Sequence, residues 1–327
     1  MKKHVLQFNL IFLIMIFGCL ILISACGNDQ KQRNTSKDEL SGTISISGAF
    51  ALYPMTVRWA EEFHKLHPDV RIDISAGGAG KGMADALSQM VDLGMFSREV
   101  RQAEIDKGAW WISVTKDAVL PTINVKNPVI DQLKVKGLKR QQFIDIFLNE
   151  KIKTWGECAD NDDQKKLNVF TRSDACGAAE MWGKYLGKNQ ESLNGVGVFG
   201  DPGMADAIKN NKNAIGYNNV IYIYDINSRK KYDGIEVIPI DINENGKIDK
   251  NENFYDTLDE VMKAIKKNVY PSPPARDLFF VSKGKPERKV VTEFLRWILE
   301  NGQKYVKEAG YVRFSNKKIK SELEKLE

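Results

Sequence analysis

The sequence predicts an α/β protein of two lobes whose helix starts face a shared crevice. Strand–turn–helix junctions recur at Gly48–Leu52, Ala76–Gly82 and Phe96–Arg98, and again at Thr171–Glu180. With 327 residues the chain is too long for one small core. Two apolar extended stretches, Ala118–Val125 and Leu278–Val281, read as strands that cross between the lobes. In sheets of this kind a ligand sits beyond the carboxyl ends of the strands.

Taken in order, the chain begins with a targeting device. Lys2, Lys3 and His4 precede an unbroken apolar run, Leu10–Ile23, too short for a comfortable membrane span. The run ends at Ile23-Ser24-Ala25-Cys26, which resembles a bacterial lipobox. Residues 1–25 are therefore expected to be a leader, and Cys26 to carry lipid that holds a folded body at a membrane. Residues 26–41 are polar, lack apolar periodicity and read as a flexible tether.

Ile44 and Ile46 alternate with polar residues, as in a half-buried strand. Pro54 suits a first helical position, and Val57, Trp59, Phe63 and Leu66 carry that helix to Pro68. Val70–Ile74 and Asp92–Met95 read as strands, with a helix over Met83–Met90 between them. Further helices are expected over Leu138–Leu148, Ala205–Lys209 and Thr257–Ile265, and strands over Leu167–Phe170, Ala214–Tyr217 and Ile235–Ile240. Pro271-Ser272-Pro273-Pro274 reads as a stiff extended run, and Val290–Leu299 and Lys304–Ala309 as closing helices.

The run Thr171–Glu180 concentrates the chemistry. Ala175, Gly177 and Ala178 let a ligand approach the backbone, and the first helical N–H groups point at it unpaired. The helix dipole adds positive potential, so the junction is an anion seat by construction. Arg172 offers a fork of donors with fixed charge, and Asp174 can hold the guanidinium in place. The plainer reading of the same residues is a turn with one surface ion pair.

Composition excludes several classes. A net charge of +5, without a basic block interleaved with aromatics, gives no support for nucleic-acid binding. Three histidines and no Cys-x-x-Cys leave no cysteine–histidine metal site and no nucleophile–base pair, so the chain is not expected to be an enzyme. The glycine-rich turn lacks the Gly-Lys-Ser/Thr ending of an ATPase phosphate loop. Outside the cytoplasm, Cys158 and Cys176 read as a disulfide, with two buried thiols as the alternative.

A second motif has tighter spacing. Asp241, Asn243, Asn245, Gly246, Asp249 and Glu252 match the calcium-loop pattern over 241–252. Asp241, Asn243, Asn245, Asp249 and Glu252 would give side-chain oxygens to a structural Ca2+, and Lys247 only its carbonyl. The chain holds no partner loop for a paired sensor.

With these pieces placed, the chain resembles the phosphate-binding proteins of bacterial and archaeal phosphate ABC importers, over nearly all of Ser41–Phe314. The carriers are Ser47-Gly48…Tyr53-Pro54…Trp59-Ala60-Glu61-Glu62, the glycine-rich turn, Val91-Asp92-Leu93-Gly94-Met95…Ser97-Arg98, Phe143-Ile144-Asp145-Ile146-Phe147…Lys153-Thr154-Trp155 and Arg172-Ser173-Asp174. Ala214-Ile215-Gly216-Tyr217 and Tyr270-Pro271 complete the set. The resemblance implies a two-lobed periplasmic binding protein of type II, each lobe a mixed sheet flanked by helices and joined by two crossover strands. It implies lobe one over 42–120 plus 277–327 and lobe two over 121–276. It further implies a monomer that closes on a small oxyanion, phosphate first, and hands it to a membrane permease.

The ligand positions it implies are Ala49, Phe50, Ala79, Ser97, Arg98, Arg172, Asp174, Cys176, Gly177 and Ala178. Several depart from the family. Ala49, Phe50 and Ala51 stand where a hydroxyl is presented, Ser97 where an aspartate often stands, and Cys176 and Ala178 replace two further hydroxyls. Each loss removes a bond to a charged acceptor worth about 1.5–3 kcal/mol. Either backbone N–H groups and Arg98 or Lys81 compensate, or the ligand is sulfate, molybdate or tungstate, or the fold serves as a sensor or surface scaffold. Removal of Arg172 is expected to abolish binding and leave the fold melting nearly as before.

Overall fold

The computed structural model describes residues 40–327. The leader, Cys26 and all but the last two residues of the tether lie outside the described residues. Within them nine strands form one mixed sheet: β1 (Gly42–Gly48), β2 (Val70–Ala76), β3 (Leu93–Phe96), β4 (Ala109–Asn124), β5 (Asn168–Arg172), β6 (Val196–Val198), β7 (Ala214–Asn219), β8 (Ile235–Val237) and β9 (Ala275–Lys283). The order is β2-β1-β3-β9-β4-β7-β5-β6, with β8 also on β4.

β1 is parallel to β2 and β3, and β5 is parallel to β6 and β7. The two parallel sets are joined by β4 and β9, which run antiparallel from Ala109↔Lys283 to Ala118↔Ala275. Past that point β4 continues against β7 and β8. One hydrophobic core gathers residues of 44–114 and 278–326 with Ile221; the other gathers residues of 118–275 with Val312.

Local chemistry explains most elements. The alternation in β1 buries Ile44 and Ile46. The helix Tyr53–Leu66 carries Pro54 in its first turn and buries Met55, Trp59 and Phe63, each contributing about 1.5–3 kcal/mol. Trp59 Nε1 then donates to the Gly302 carbonyl at 2.9 Å, which ties that helix to the end of the helix Lys289–Glu300.

Three expectations are corrected. The helix after β2 spans Ala79–Leu87, so it begins on the small residues themselves and not at Met83. Lys304–Ala309 is no α-helix: a 3₁₀ turn over Gly302–Lys304 passes into turns that end at Gly310, whose φ of +86° favours glycine. Pro271–Pro274 is a turn with cis bonds at Ser272–Pro273 and Pro273–Pro274, not an extended run.

A helix over Asn316–Leu323 was not foreseen. It belongs to a segment that straps β4 at a register shift between Ser113 and Thr115. Glu322 Oε2 accepts the Ser113 N–H at 2.9 Å, Gln303 Nε2 donates to the Val114 carbonyl at 2.8 Å, and Lys116 pairs with Val312. The strap thus satisfies backbone groups that the bulge leaves unpaired. No helix among the described residues is long and apolar enough to cross a membrane.

Candidate functional site

The carboxyl ends of β1, β2 and β3 meet those of β5, β6 and β7 across the crevice between the two cores. Arg172 closes β5. Its side chain is 1% exposed and grips two carboxylates. Nε donates to Asp174 Oδ1 at 2.8 Å, Nη2 donates to Asp174 Oδ2 at 2.7 Å, and Nη1 stands 2.9 Å from Asp201 Oδ2. Burial works against this charge, but the carboxylates of Asp201 and Asp174 outweigh it and hold the guanidinium protonated. Asp174 also accepts the Gly200 N–H at 3.0 Å, at the start of the helix Gly200–Asn210.

The turn after Arg172 is fixed from two sides. The Tyr217 hydroxyl accepts the Arg172 N–H at 3.2 Å and lies 2.8 Å from Thr171 Oγ1. Gln190 Nε2 donates to the Asp174 carbonyl at 2.6 Å, and Gln190 Oε1 accepts the Cys176 N–H at 3.0 Å. The helix Gly177–Leu186 follows, with the Cys176 sulfur as its N-cap acceptor for Ala179 N–H at 3.4 Å.

Contacts cross the crevice directly. Gly80 N–H donates to the Ala175 carbonyl at 2.9 Å, and the Tyr222 hydroxyl to the Phe50 carbonyl at 3.2 Å. Phe50 meets Phe199 edge-on at 6.0 Å and lies under the Arg172 guanidinium at 5.8 Å. Arg101 pairs with Glu180 at 3.0 Å and Glu99 with Lys184 at 2.5 Å. Glycine makes the approach possible. A Cβ on Gly78 would stand 2.8 Å from Asp174 Oδ2, one on Gly80 2.7 Å from Ala175 Cβ, and one on Gly177 2.2 Å from Ser97 Oγ.

The expected site residues are therefore only partly assembled. Arg172, Asp174, Ser97 and Gly177 come together, and Ala79 and Ala178 lie buried at the two helix starts. Phe50 contributes its ring and carbonyl. Two expected donors are spent elsewhere: Ala49 N–H goes to the Met95 carbonyl at 2.9 Å, and Cys176 N–H to Gln190. Arg98 does not face the crevice, because its fork is taken by Glu104 at 3.0 and 2.6 Å and it stacks on Phe96. Lys81 is likewise held by Asp85. The disulfide is corrected too. Cys158 and Cys176 are free and buried, one in the short helix Trp155–Ala159 and the other capping its own helix. Burial pushes both thiols up to about 12.

Comparison with known proteins agrees with this architecture. A family model for the PBP superfamily domain matches residues 33–301. The chain belongs to the PBP superfamily. The phosphate-binding protein PstS of Staphylococcus epidermidis is 25% identical over 319 residues, which cover 95% of this chain and 90% of that protein. PstS of Staphylococcus aureus strain USA300 is 24% identical over 315 residues, covering 94% and 89%. A Clostridium perfringens structure with bound phosphate, described as a phosphate ABC transporter substrate-binding protein, superposes with a TM-score of 0.68 at 24% identity, over 84% of this chain and 100% of that one. An ABC-type phosphate transport receptor from Vibrio cholerae gives 0.60 at 19% identity, over 82% and 99%.

This PBP superfamily chain also links to Arg172 several buried residues that the sequence does not single out. Asp201 Oδ1 accepts Asn219 Nδ2 at 2.5 Å, and Asn219 Oδ1 accepts Arg276 Nη2 in turn. Arg276 Nη2 stands 3.7 Å from Asp117 Oδ2, where β9 and β4 pair. All four side chains are buried. The signal was present as charge inside segments read for their apolar content: Asp117 abuts Ala118–Val125, and Arg276 precedes Leu278–Val281. Gln190 gave no such signal.

The 241–252 loop lies away from the crevice, anchored by Ile248 N–H to the Val135 carbonyl at 2.8 Å. Asp241 and Glu252 are buried, and their oxygens accept backbone N–H groups of Asn245, Gly246, Ile242 and Asn243 at 2.8–3.2 Å. The amides of Asn243 and Asn245 donate to Asp249 Oδ2 at 3.0 and 2.8 Å, and Lys247 stands 3.2 Å from Asp249 Oδ1. Among the described residues no group of three or more His, Cys, Asp or Glu side chains is arranged to hold a metal ion.

Proposed function

We propose that the chain is an extracytoplasmic substrate-binding lipoprotein that captures a small oxyanion, phosphate first, and delivers it to an ABC importer. The observation that carries this reading is the buried Arg172 fork at the strand end where two sets of helix starts converge. The names of the curated relatives, phosphate-binding proteins matched over nine-tenths of their length, support phosphate as the first ligand. Capture works by closing the lobes about β4 and β9, which among the described residues join the two parallel strand sets. No bond is made or broken. Lipid on Cys26 would hold a monomer beside its permease. Calorimetric titration with phosphate, sulfate, molybdate and tungstate tests the reading: one-site heat, tightest for phosphate, is expected.

A second reading, an anion sensor or surface scaffold of the same fold, is favoured by the spent N–H groups of Ala49, Gly80 and Cys176. No saturable heat from any of the four anions supports the scaffold.

We also propose that the 241–252 loop takes a structural Ca2+. Support comes from the oxygen-rich donor set of Asp241, Asn243, Asn245, Asp249 and Glu252, and from Gly246 at φ +85° where the loop turns. Rotation of the two Asn amides would turn oxygens in place of N–H groups toward the ion. Calcium added to chelator-treated protein should raise the melting temperature, and Glu252→Gln should remove that rise. An unchanged melting temperature in the unsubstituted protein counts against the proposal.

A further inference from the structure

One side of the helix Gly177–Leu186 is given over to the opposite lobe. Ser97 lies against Gly177, Arg101 pairs with Glu180 at 3.0 Å and Glu99 pairs with Lys184 at 2.5 Å. Gly177, Glu180 and Lys184 follow one another at spacings of three and four, so they share one side of the helix. It is the helix whose start follows the Arg172 turn, and its three partners all come from the single stretch Ser97–Arg101.

That stretch is held as an arch. Glu104 Oε1 and Oε2 accept both arms of the Arg98 guanidinium at 2.6 and 3.0 Å, and Oε2 also accepts the Arg101 N–H at 2.8 Å. Arg98 Nη1 donates to the Glu99 carbonyl at 2.9 Å, and its guanidinium lies over the Phe96 ring at 4.5 Å. One carboxylate thus ties both ends of the arch through charge-assisted bonds, which leaves Glu99 and Arg101 to reach lobe two. Arg98 serves here as a strut.

The two ion pairs are unequal. The Glu99 side chain is 75% exposed, so its pair with Lys184 is screened and weak. The Glu180 side chain is 6% exposed, and a buried carboxylate that loses its cation is costly. Its other oxygen, Oε2, accepts the Gln190 N–H at 3.3 Å. Gln190 holds the Asp174 carbonyl and the Cys176 N–H. An unbroken run of contacts therefore leads from Arg101 on lobe one to the turn that carries Asp174 on lobe two.

We propose that Ser97–Glu104 is a clasp that holds the lobes shut, and that Arg101 is a positioning residue for the anion seat, acting through Glu180 and Gln190. The clasp rests on the oxyanion reading above and deepens it: retention of the anion depends on a charge pair that does not touch it. Parting the lobes strips Glu180 of Arg101 and loosens the turn, and closing them restores both.

The test is calorimetric titration of phosphate into the full chain and into Arg101→Ala, Arg101→Lys, Glu180→Gln and the double variant Arg101→Ala with Glu180→Gln. Arg172 is intact in all of them, and the amide oxygen of Glu180→Gln can still accept the Gln190 N–H. Arg101→Ala should weaken phosphate at least about fivefold, and Arg101→Lys, which keeps a cation, should recover most of the loss. Glu180→Gln should weaken it about as much, and the double variant no further, because the two residues act through one contact. Glu99→Lys should cost only about twofold, and adding Lys184→Glu should restore it. Unchanged affinity in Arg101→Ala, or losses that add in the double variant, overturns the clasp and leaves the oxyanion reading standing. Absence of saturable phosphate heat in the wild type overturns both.

Discussion

Arg172 and Asp201 meet at 2.9 Å in the buried crevice, while Asp174 holds the other edge of the same guanidinium. The seat is therefore not a bare positive charge. It is a cation already flanked by two carboxylates, so a bound anion must be selected by the remaining N–H groups and by geometry.

The same relationship corrects an expectation about stability. Arg172→Ala would leave two buried carboxylates facing each other without their cation. Breaking a buried pair in this way costs about 3–5 kcal/mol. Thermal unfolding should show a fall in melting temperature of several degrees, where the sequence alone suggested none. A variant that melts like the wild type would mean that Asp174 and Asp201 find other partners.

Gln190 should matter to binding although it faces no ligand. Its amide holds both the Asp174 carbonyl and the Cys176 N–H. Gln190→Ala loses two hydrogen bonds of about 0.5–1.5 kcal/mol each and frees the turn. Anion affinity should fall by about tenfold, with Gln190→Glu recovering the contact to Cys176 N–H but not that to the Asp174 carbonyl. Equal affinity in all three proteins would show that the turn is held without it.

Most of the fold was legible because its signals are local. The alternation of Ile44 and Ile46, Pro54 before an apolar helical stripe, and small residues at each junction all act within a few residues. Arg172 and Asp174 were legible for the same reason, being two residues apart on one turn. What escaped is long-range. Asp201, Asn219, Arg276 and Asp117 come from four separated segments and meet only after β4, β7 and β9 pair. Arg98 was misplaced because nothing in the local pattern says that Glu104, six residues on, takes its fork first. The disulfide failed similarly, since an even cysteine count carries no information about distance.

Thiol chemistry gives an independent check. In a chain comprising residues 40–327, Cys158 and Cys176 are free and held well above their usual range by burial, up to about 12. Ellman titration at mildly alkaline pH should find no reactive thiol in the native protein and two after denaturation. Two unreactive sulfurs after denaturation without reductant would restore the disulfide.

Asp117 predicts a pH signature in stability. Its carboxyl is raised from 3.8 to about 6 on folding, chiefly by burial, so the folded state holds that proton more tightly than the unfolded one. Stability contributed by Asp117 is thus present at low pH and lost as pH rises from about 4 to about 6. Urea unfolding of wild type and Asp117→Asn across that window should show the wild type falling relative to the variant, with parallel profiles above it. Parallel profiles throughout would place the Asp117 carboxyl in its ordinary range.

The most direct measurement is calorimetric titration of phosphate into the wild type and into Arg172→Lys, which keeps a cation between Asp174 and Asp201 but loses the fork. Saturable one-site binding by the wild type, weakened at least about a hundredfold in the variant while its melting temperature stays within a few degrees, is the expected result. Undiminished affinity in Arg172→Lys, or no binding of any oxyanion by the wild type, would contradict an anion seat built on Arg172.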